Sequence, residues 1–302
     1  MIVSISELRH RYGERTALDG ISFDVPEGRI FALLGPNGGG KSTLFRILAT
    51  VMAPTAGRAT VAGFDVTSQS AQERRVIGVV FQSQSLDRKL TIGQNLHAQG
   101  HFYGIYGARL RDRIREVTAR LHLAPRIHDI VGDLSGGLRR RVEIAKALLH
   151  SPRVLLMDEP STGLDPAARL ELWQYIADLR STGNVTVLLT THILDEADRA
   201  DQLVLLHQGR IVASGSPAEL KARVGGDVVI LESADPAGLA TGIQSRFGVR
   251  AAASGTALRV EIGNGHRFIA EVVEAFPGAI QSVALHKPTL EDVFLDETGA
   301  AL

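Results

Sequence analysis

Hydrophobic and polar residues alternate near the start of the chain. The alternation over residues 2–11 and 21–25 predicts two antiparallel strands separated by a turn at 12–14. A further short strand is predicted at 58–61. The first part of the chain therefore predicts an antiparallel β subdomain.

Apolar strands alternate with helices in the rest of the first two thirds. Strands 154–157 and 185–189 are almost continuously apolar, which is typical of a parallel sheet covered on both faces. A helical pattern at 167–179 lies between them, and apolar strands are also predicted at 30–34 and 75–81. This alternation predicts a doubly wound α/β core.

A different pattern occupies residues 91–150, where charge is dense and β-branched runs are missing. Leu110, Ile114, Val117 and Leu121 recur at helical spacing, opposite a largely basic face. We interpret this region as a helical insert in the α/β core.

A glycine pair at 225–226 predicts a linker between two domains, residues 1–224 and 225–302. Beyond it, the order β-α-β-β-α-β predicts a small α+β domain that resembles a ferredoxin-like module. Its predicted elements are strands 228–231, 249–253, 258–262 and 280–285, helices 236–247 and 266–276, and a last helix from about 289. A hairpin at 203–213 and a helix at 217–223 are predicted before the linker.

The composition narrows the possible functions. Lys plus Arg and Asp plus Glu both number 33 among 302 residues, so the formal charge is zero and gives no basic footprint of a nucleic-acid partner. The absence of cysteine excludes disulfides, thiolate catalysis and Cys-based zinc sites. No apolar stretch approaches the roughly 18 residues that cross a bilayer, and the first residues lack a signal-peptide pattern. We therefore expect a soluble protein that needs a membrane-spanning partner if it acts at a membrane.

One glycine-rich stretch carries recognisable chemistry. Residues 35–43 fit G-x-x-x-x-G-K-[ST], the phosphate-binding P-loop, between a predicted strand and a predicted helix. Its backbone N–H groups would close around an anion, Lys41 would reach the β- and γ-phosphates, and Ser42 would place its hydroxyl on Mg²⁺. The predicted nucleotide-binding residues here are Asn37, Gly38, Gly39, Gly40, Lys41, Ser42 and Thr43. The alternative is a Gly-rich turn with a chance Lys-Ser.

Two carboxylates end the apolar strand at 154–157. In P-loop proteins the first carboxylate after such a strand holds Mg²⁺, so Asp158 is assigned to the metal. The second can polarise an attacking water, which makes Glu159 the candidate general base. The alternative is a pair of solvated carboxylates at a strand end.

Ser135, Gly136 and Gly137 open a predicted helix at 139–149. Serine is a good N-cap, and the free N–H groups of a helix start can receive an anion. Read alone, this is an ordinary helix start; read with the P-loop, it is a second phosphate-binding surface.

Together these motifs resemble the nucleotide-binding subunits of ATP-binding-cassette (ABC) transporters over about residues 1–220. Residues 134–138 resemble the family signature Leu-Ser-Gly-Gly-Gln, although Leu138 replaces the final Gln and leaves contacts near the ribose in doubt. Residues 162–165 match the family's D-loop. The resemblance implies a P-loop ABC ATPase core.

The resemblance also assigns roles to three residues that alone would pass as structural. Tyr12 would stack on adenine, and Gln82 would touch Mg²⁺ and sense the permease. His192 would lie at the γ-phosphate and act with Glu159 in catalysis. The implied cofactors are ATP and Mg²⁺.

In this family a single subunit holds an incomplete site. The resemblance implies that Ser135 and Gly137 cap the nucleotide of a second copy, so ATP would be buried in a head-to-tail homodimer. A separate permease would hold the dimer at the cytoplasmic face of the membrane. The domain at 225–302 would regulate or stabilise the dimer.

The end of the chain narrows the branch. Residues 287–295 resemble a tail of the ATPase subunits in daunorubicin-resistance-type exporters, and residues 190–198 fit the same branch. The resemblance implies a type-two exporter permease as partner and export of a drug, antibiotic or lipid-like compound. No pocket of this chain would encode the cargo, because the cargo meets the permease.

Two alternatives stay open from the sequence. One is a transport-independent ABC ATPase that acts on ribosomes or DNA, since one fold hosts many functions. Against it, the chain has one P-loop and one signature, and it has neither a long coiled coil nor Cys-zinc modules. The other is a non-catalytic regulatory module, which the intact Lys41, Asp158, Glu159 and His192 disfavour.

Overall fold

The computed structural model describes residues 1–183 and 185–299. They fall into two compact units, Met1–Ser214 and Gly215–Leu302, and the last three residues of the predicted second domain lie outside the described part. Through the hairpin that ends the first unit, the strands are β1 (Val3–Tyr12), β2 (Arg15–Val25), β3 (Ile30–Leu34), β4 (Ala56–Val61), β5 (Phe64–Asp65), β6 (Ile77–Val80), β7 (Val154–Asp158), β8 (Thr186–Thr191), β9 (Gln202–His207) and β10 (Arg210–Gly215). The helices of this unit are α1 (Lys41–Leu48), α2 (Ser70–Glu73), α3 (Ile92–Phe102), α4 (Gly107–Arg120), α5 (Gly136–Leu148), α6 (Pro166–Gly183) and α7 (Leu194–Ala197).

Two sheets build the first unit. The antiparallel sheet has the order β2-β1-β4-β5, and the larger sheet has the order β10-β9-β3-β8-β7-β6. Strands β6, β7, β8, β3 and β9 pair in parallel, which confirms the predicted α/β core. The α1 residues Leu44 and Phe45 are fully buried in one core cluster with residues of both sheets, such as Leu18 and Leu33. Helix α1 therefore lies between the two sheets.

Strands β3, β7 and β8 are buried at every residue. Their apolar runs are continuous because side chains on both faces of the sheet are covered. Because β7 and β8 lie beside each other and β8 lies beside β3, the carboxyl ends of the three strands meet at one edge. That edge carries the P-loop and both candidate carboxylates.

The predicted helical insert consists of α3, α4 and α5. Leu110, Ile114, Val117 and Leu121 are buried, as their spacing predicted. Thr91 caps α3 by accepting a hydrogen bond from the backbone N–H of Gln94, while the Gln94 side chain accepts from the Thr91 N–H. Two short 3₁₀ turns, Ala124–Arg126 and Val131–Asp133, connect α4 to α5.

The second unit is built on an antiparallel sheet. Its elements are α8 (Pro217–Arg223), β11 (Asp227–Glu232), α9 (Pro236–Phe247), β12 (Ala251–Ser254), β13 (Ala257–Ile262), α10 (Gly265–Ala275), β14 (Ser282–His286) and α11 (Leu290–Thr298). The strand order is β12-β13-β11-β14, and α9 and α10 bury Ile243 and Phe268 against Val229 and Val260 of the sheet. On the opposite face, Arg259 donates a hydrogen bond of 3.0 Å to Asp292 of α11.

The division between the units falls at Gly215, not at the predicted residue 225. Helix α8 contacts α11 and buries Leu220, so it belongs to the second unit. Gly225 and Gly226, both at positive φ, join α8 to β11 within that unit. A glycine pair indicates a turn, but it does not show which contacts flank that turn.

Candidate nucleotide-binding site

The glycine-rich stretch forms the turn from β3 into α1. Gly40 is the N-cap residue of α1 with φ of 105°, and no side chain caps the helix. A Cβ at this position would lie 2.7 Å from the carbonyl oxygen of Ala17, so only glycine fits. The first N–H groups of α1 are therefore left without a side-chain partner, and they suit an anion.

Lys41 is buried beneath this turn with 4% of its side chain exposed. Its Nζ donates hydrogen bonds to the carbonyl oxygens of Gly35 at 2.7 Å and Pro36 at 3.0 Å, and it lies 3.8 Å from Glu159 Oε1. Burial lowers the pKa of Lys41, while the Glu159 and Asp158 carboxylates oppose that shift. The ammonium group is thus held between the loop and the carboxylates.

A cleft of about 230 Å³ lies over the turn. It is lined by Tyr12, Arg15, Ala17, Asn37, Gly38, Gly40, Lys41, Ser42, Thr43, Arg46 and Glu159. Of the predicted P-loop residues, only Gly39 is missing from this lining; its N–H bonds to the Pro36 carbonyl instead. Tyr12 is 44% exposed, and its hydroxyl donates to Met52 Sδ at 3.4 Å. An aromatic ring and several cations in one cleft suit a nucleoside polyphosphate.

Two cations of the cleft, Arg15 and Arg46, are absent from the sequence prediction. Arg15 is the cross-strand partner of Tyr12, and it lies close to where a side chain on Gly38 would be. Arg46 follows one helical turn after the P-loop. Neither belongs to a motif, so only their position in the fold identifies them.

Asp158 ends strand β7 and Glu159 follows it, and Thr190 of neighbouring β8 hydrogen-bonds to both. The Thr190 hydroxyl donates to Asp158 Oδ1 at 2.6 Å and accepts from the backbone N–H of Glu159 at 2.9 Å. Burial raises the pKa of Asp158, and the Thr190 hydrogen bond opposes that shift. Glu159 has a φ of 43°, unusual for a residue with a side chain. Sequence patterns gave no indication of the part played by Thr190.

The Glu159 carboxylate is the meeting point of the site. Gln82 Nε2 donates to its Oε2 at 3.3 Å, and the Thr162 hydroxyl donates to the same atom at 3.1 Å. His192 Nδ1 lies 3.2 Å from Oε1, without the angles of a hydrogen bond. With Lys41, three segments far from Glu159 in sequence converge on this one carboxylate, and Thr162 joins them from its own segment.

Arg140 is a buried residue that hydrogen-bonds to the backbone of the site, and it is also absent from the sequence prediction. It is 7% exposed and donates to the carbonyl oxygens of Phe81 and Pro160, each at 2.7 Å. Its Nη2 lies 3.2 Å from the Asp158 carbonyl oxygen, and its charge is paired with Glu143 at 2.8 Å. Arg140 therefore ties α5 to the strand ends that carry Gln82 and Asp158.

Ser135 and Gly137 do not line the cleft. Ser135 is exposed and caps α5 by accepting a hydrogen bond from the Leu138 N–H at 3.3 Å. A Cβ on Gly137 would approach the Ala168 Cβ to 2.9 Å, so glycine lets α5 pack closely on α6. These two residues present a separate helix start on the surface.

Mg²⁺ at this site would need ligands beyond the side chains of the chain. Among the described residues, no group of three or more His, Asp or Glu side chains could hold a metal ion unaided. Mg²⁺ is usually held by one or two carboxylates together with substrate phosphates and water. Asp158 and the Ser42 hydroxyl beside an anion-binding turn fit that kind of site.

Within residues 1–183 and 185–299, no helix is both long and apolar enough to cross a bilayer.

Other proteins of known sequence are similar to this chain over almost its full length. The profile of the family described as "ABC transporter" matches residues 18–162. The chain is 39% identical to the daunorubicin resistance ATP-binding protein DrrA3 of Streptomyces coeruleorubidus, over 98% of this chain and 96% of that protein. It is also 39% identical to the Nod factor export ATP-binding protein I of Ralstonia nicotianae, over 99% of this chain and 94% of that protein.

Solved structures resemble the chain over about three quarters of its length. One is described as an ATP-binding subunit of an ABC transporter, with a TM-score of 0.66, 29% identity, and coverage of 74% of this chain and 94% of that one. Another is a dimeric post-hydrolysis state of the ATP-binding cassette MJ0796 bound to ADP and Pi. It gives a TM-score of 0.64 and 26% identity, and it covers 71% of this chain and 98% of that one.

Proposed function

The chain belongs to the ATP-binding subunits of ABC transporters, and from this we propose that it is the ATPase of an exporter, closing a dimer on ATP to drive a separate permease. The observation that carries the proposal is the convergence of Lys41, Gln82 and His192 on the Glu159 carboxylate. A cation for phosphate and a base for water are parts that ATP hydrolysis uses, and a histidine beside the base can hold the terminal phosphate.

We propose the following roles for the residues of the site in ATP binding and hydrolysis. Lys41 binds the β- and γ-phosphates together with the N–H groups of residues 38–43, and Tyr12 stacks on the adenine. Glu159 accepts the proton of the attacking water, and His192 orients the γ-phosphate. Ser42, Gln82 and Asp158 would hold Mg²⁺, which neutralises charge that develops on the phosphates.

The exposed start of α5, which lies outside the cleft, supports a nucleotide site that is shared between two copies of the chain. Ser135 and Gly137 lie at such a start, and neither lines the cleft of its own chain. In a two-fold symmetric dimer the same surface of each copy can cover the other copy's nucleotide. We propose that the two residues complete the partner's site in this way, as the dimeric state of the similar cassette supports.

The export assignment rests on the relatives. Two of the similar proteins are named for daunorubicin resistance and Nod factor export. We propose that this chain likewise serves export, of a drug, antibiotic or lipid-like compound, and that its permease holds it at the cytoplasmic face of the membrane. An ATPase acting on ribosomes or DNA is not favoured, because no observation on this chain supports it.

Membrane recruitment tests the export proposal. The chain should sediment with membranes when it is co-expressed with its permease, and it should stay in the supernatant without that protein. Immunoblotting of both fractions measures the distribution. Association with ribosomes or nucleic acid, unaffected by the membrane protein, would instead support the alternative.

For the second unit we propose a role in stabilising or regulating the dimer. Each unit has a hydrophobic core of its own, so the first unit should fold when the chain is cut before α8. We expect the chain lacking everything after Ser214 to bind ATP normally but to dimerise more weakly. Light scattering with ATP measures this; equal dimerisation and equal coupled transport would contradict the role.

A further inference from the structure

A second buried carboxylate lies behind the site. Glu196 of α7 is 1% exposed, and both oxygens are used: the Ser161 hydroxyl donates to Oε1, and the Thr191 hydroxyl donates to Oε2 at 2.7 Å. The nearest cationic contact is Arg169, whose Nε lies 3.9 Å from Oε1. Glu196 lies within the run 190–198 that resembles the exporter branch, but the resemblance assigns it no role.

The two hydroxyl donors belong to the two segments that carry the proposed catalytic groups. Ser161 comes two residues after Glu159, and Thr191 immediately precedes His192. The Thr191 hydroxyl also accepts from the Ile193 N–H at 2.9 Å, which orders the turn after the histidine. One carboxylate therefore cross-links the loop after β7 to the last residue of β8, next to His192.

We infer that Glu196 is a positioning residue for ATP hydrolysis, holding the segment of Glu159 against the segment of His192. This inference rests on the roles proposed above for those two residues. Their side chains approach to 3.2 Å, and a shift of about 1 Å in such an arrangement costs about 100-fold in rate.

Stability alone does not account for a carboxylate at this place. Moving it out of water has a cost, and a cation 3.9 Å away offsets only part of that cost. An apolar side chain would fill the same space without desolvation. An apolar side chain would lack the two directed hydrogen bonds that join the loop after β7 to the end of β8.

The test compares Glu196→Ala with Glu196→Gln in the full chain. We expect Glu196→Ala to lower kcat about 10- to 100-fold while KM for ATP stays within about twofold, because the cross-link through the carboxylate is lost but the P-loop is untouched. We expect Glu196→Gln to restore kcat to within about threefold, because hydroxyl groups both donate and accept and can bond to an amide.

Glu73 provides a matched control. It is a fully buried carboxylate with neither oxygen hydrogen-bonded, and it lies outside the cleft, so Glu73→Ala should leave kcat unchanged. A kcat for Glu196→Ala within about twofold of wild type, or equal losses in Glu196→Ala and Glu196→Gln, would overturn the inference. If Glu196→Ala does not fold, Ser161→Ala removes one side of the link and should also lower kcat with little change in KM.

The Glu159→Gln variant separates this inference from the proposed function. An inactive Glu159→Gln beside a fully active Glu196→Ala overturns the positioning role alone. An active Glu159→Gln overturns the role of the base, and the inference about Glu196 falls with it.

Discussion

Replacing Glu159 by Gln should abolish steady ATP turnover and leave ATP binding intact. The amide has the same shape as the carboxylate, so the contacts from Gln82 and Thr162 can be kept, but it cannot take a proton from water. General bases contribute about 10²- to 10⁴-fold, so we expect kcat to fall by at least about 100-fold. Phosphate release measures turnover, and a fluorescent ATP analogue measures affinity.

The same variant should also accumulate a dimer in the presence of ATP, because hydrolysis no longer removes the phosphate between the copies. Size-exclusion chromatography with light scattering measures the mass. Adding Ser135→Arg to the Glu159→Gln chain provides the control: it places a bulky cation on the exposed helix start and should give a monomer that still binds ATP. Turnover near wild type in Glu159→Gln would remove Glu159 from the role of the base.

Much of the site could be predicted because its parts are short motifs at strand ends. Lys41, Asp158 and His192 each follow a continuously apolar strand, and such strands indicate a parallel sheet. In a parallel sheet the carboxyl ends of neighbouring strands meet, so residues far apart in sequence come together. The sequence pattern therefore predicts the motif residues and the end of the sheet at which they lie. Which motif residues contact one another depends on the strand order, which the structure provides.

The supporting residues could not be predicted in the same way. Thr190 acts through Asp158 and the backbone of Glu159, and Arg140 acts through carbonyl oxygens, which any residue can offer. A hydroxyl or guanidinium that bonds to backbone leaves no pattern in the partner's sequence. The predicted domain boundary lies after the observed one for a related reason. It depends on the contact between α8 and the last helix, which are far apart in sequence.

Lys41→Ala should weaken ATP binding about 100-fold. The ammonium group is buried among the Gly35 and Pro36 carbonyl oxygens and the Glu159 carboxylate. Among the described residues, it is the only buried cation that lines the cleft. Truncation therefore removes this cation and leaves the Glu159 carboxylate unpaired with it. A hydrogen bond between charged groups contributes up to about 3 kcal/mol, so losing the contact of the ammonium group with phosphate corresponds to about 100-fold in Kd. Titration with a fluorescent ATP analogue measures the loss.

Arg46→Ala gives the matched comparison, because Arg46 is also a cation of the cleft but is not fully buried. Solvent screens a partly exposed charge, so the loss of affinity should be several-fold rather than 100-fold. The thermal midpoint of Lys41→Ala without nucleotide should fall below that of Arg46→Ala, because the truncation leaves the buried Glu159 carboxylate without its cation. An unchanged Kd in Lys41→Ala would contradict the P-loop assignment, whereas equal losses in both variants would show that the cleft attracts phosphate through its summed charge rather than through the buried lysine.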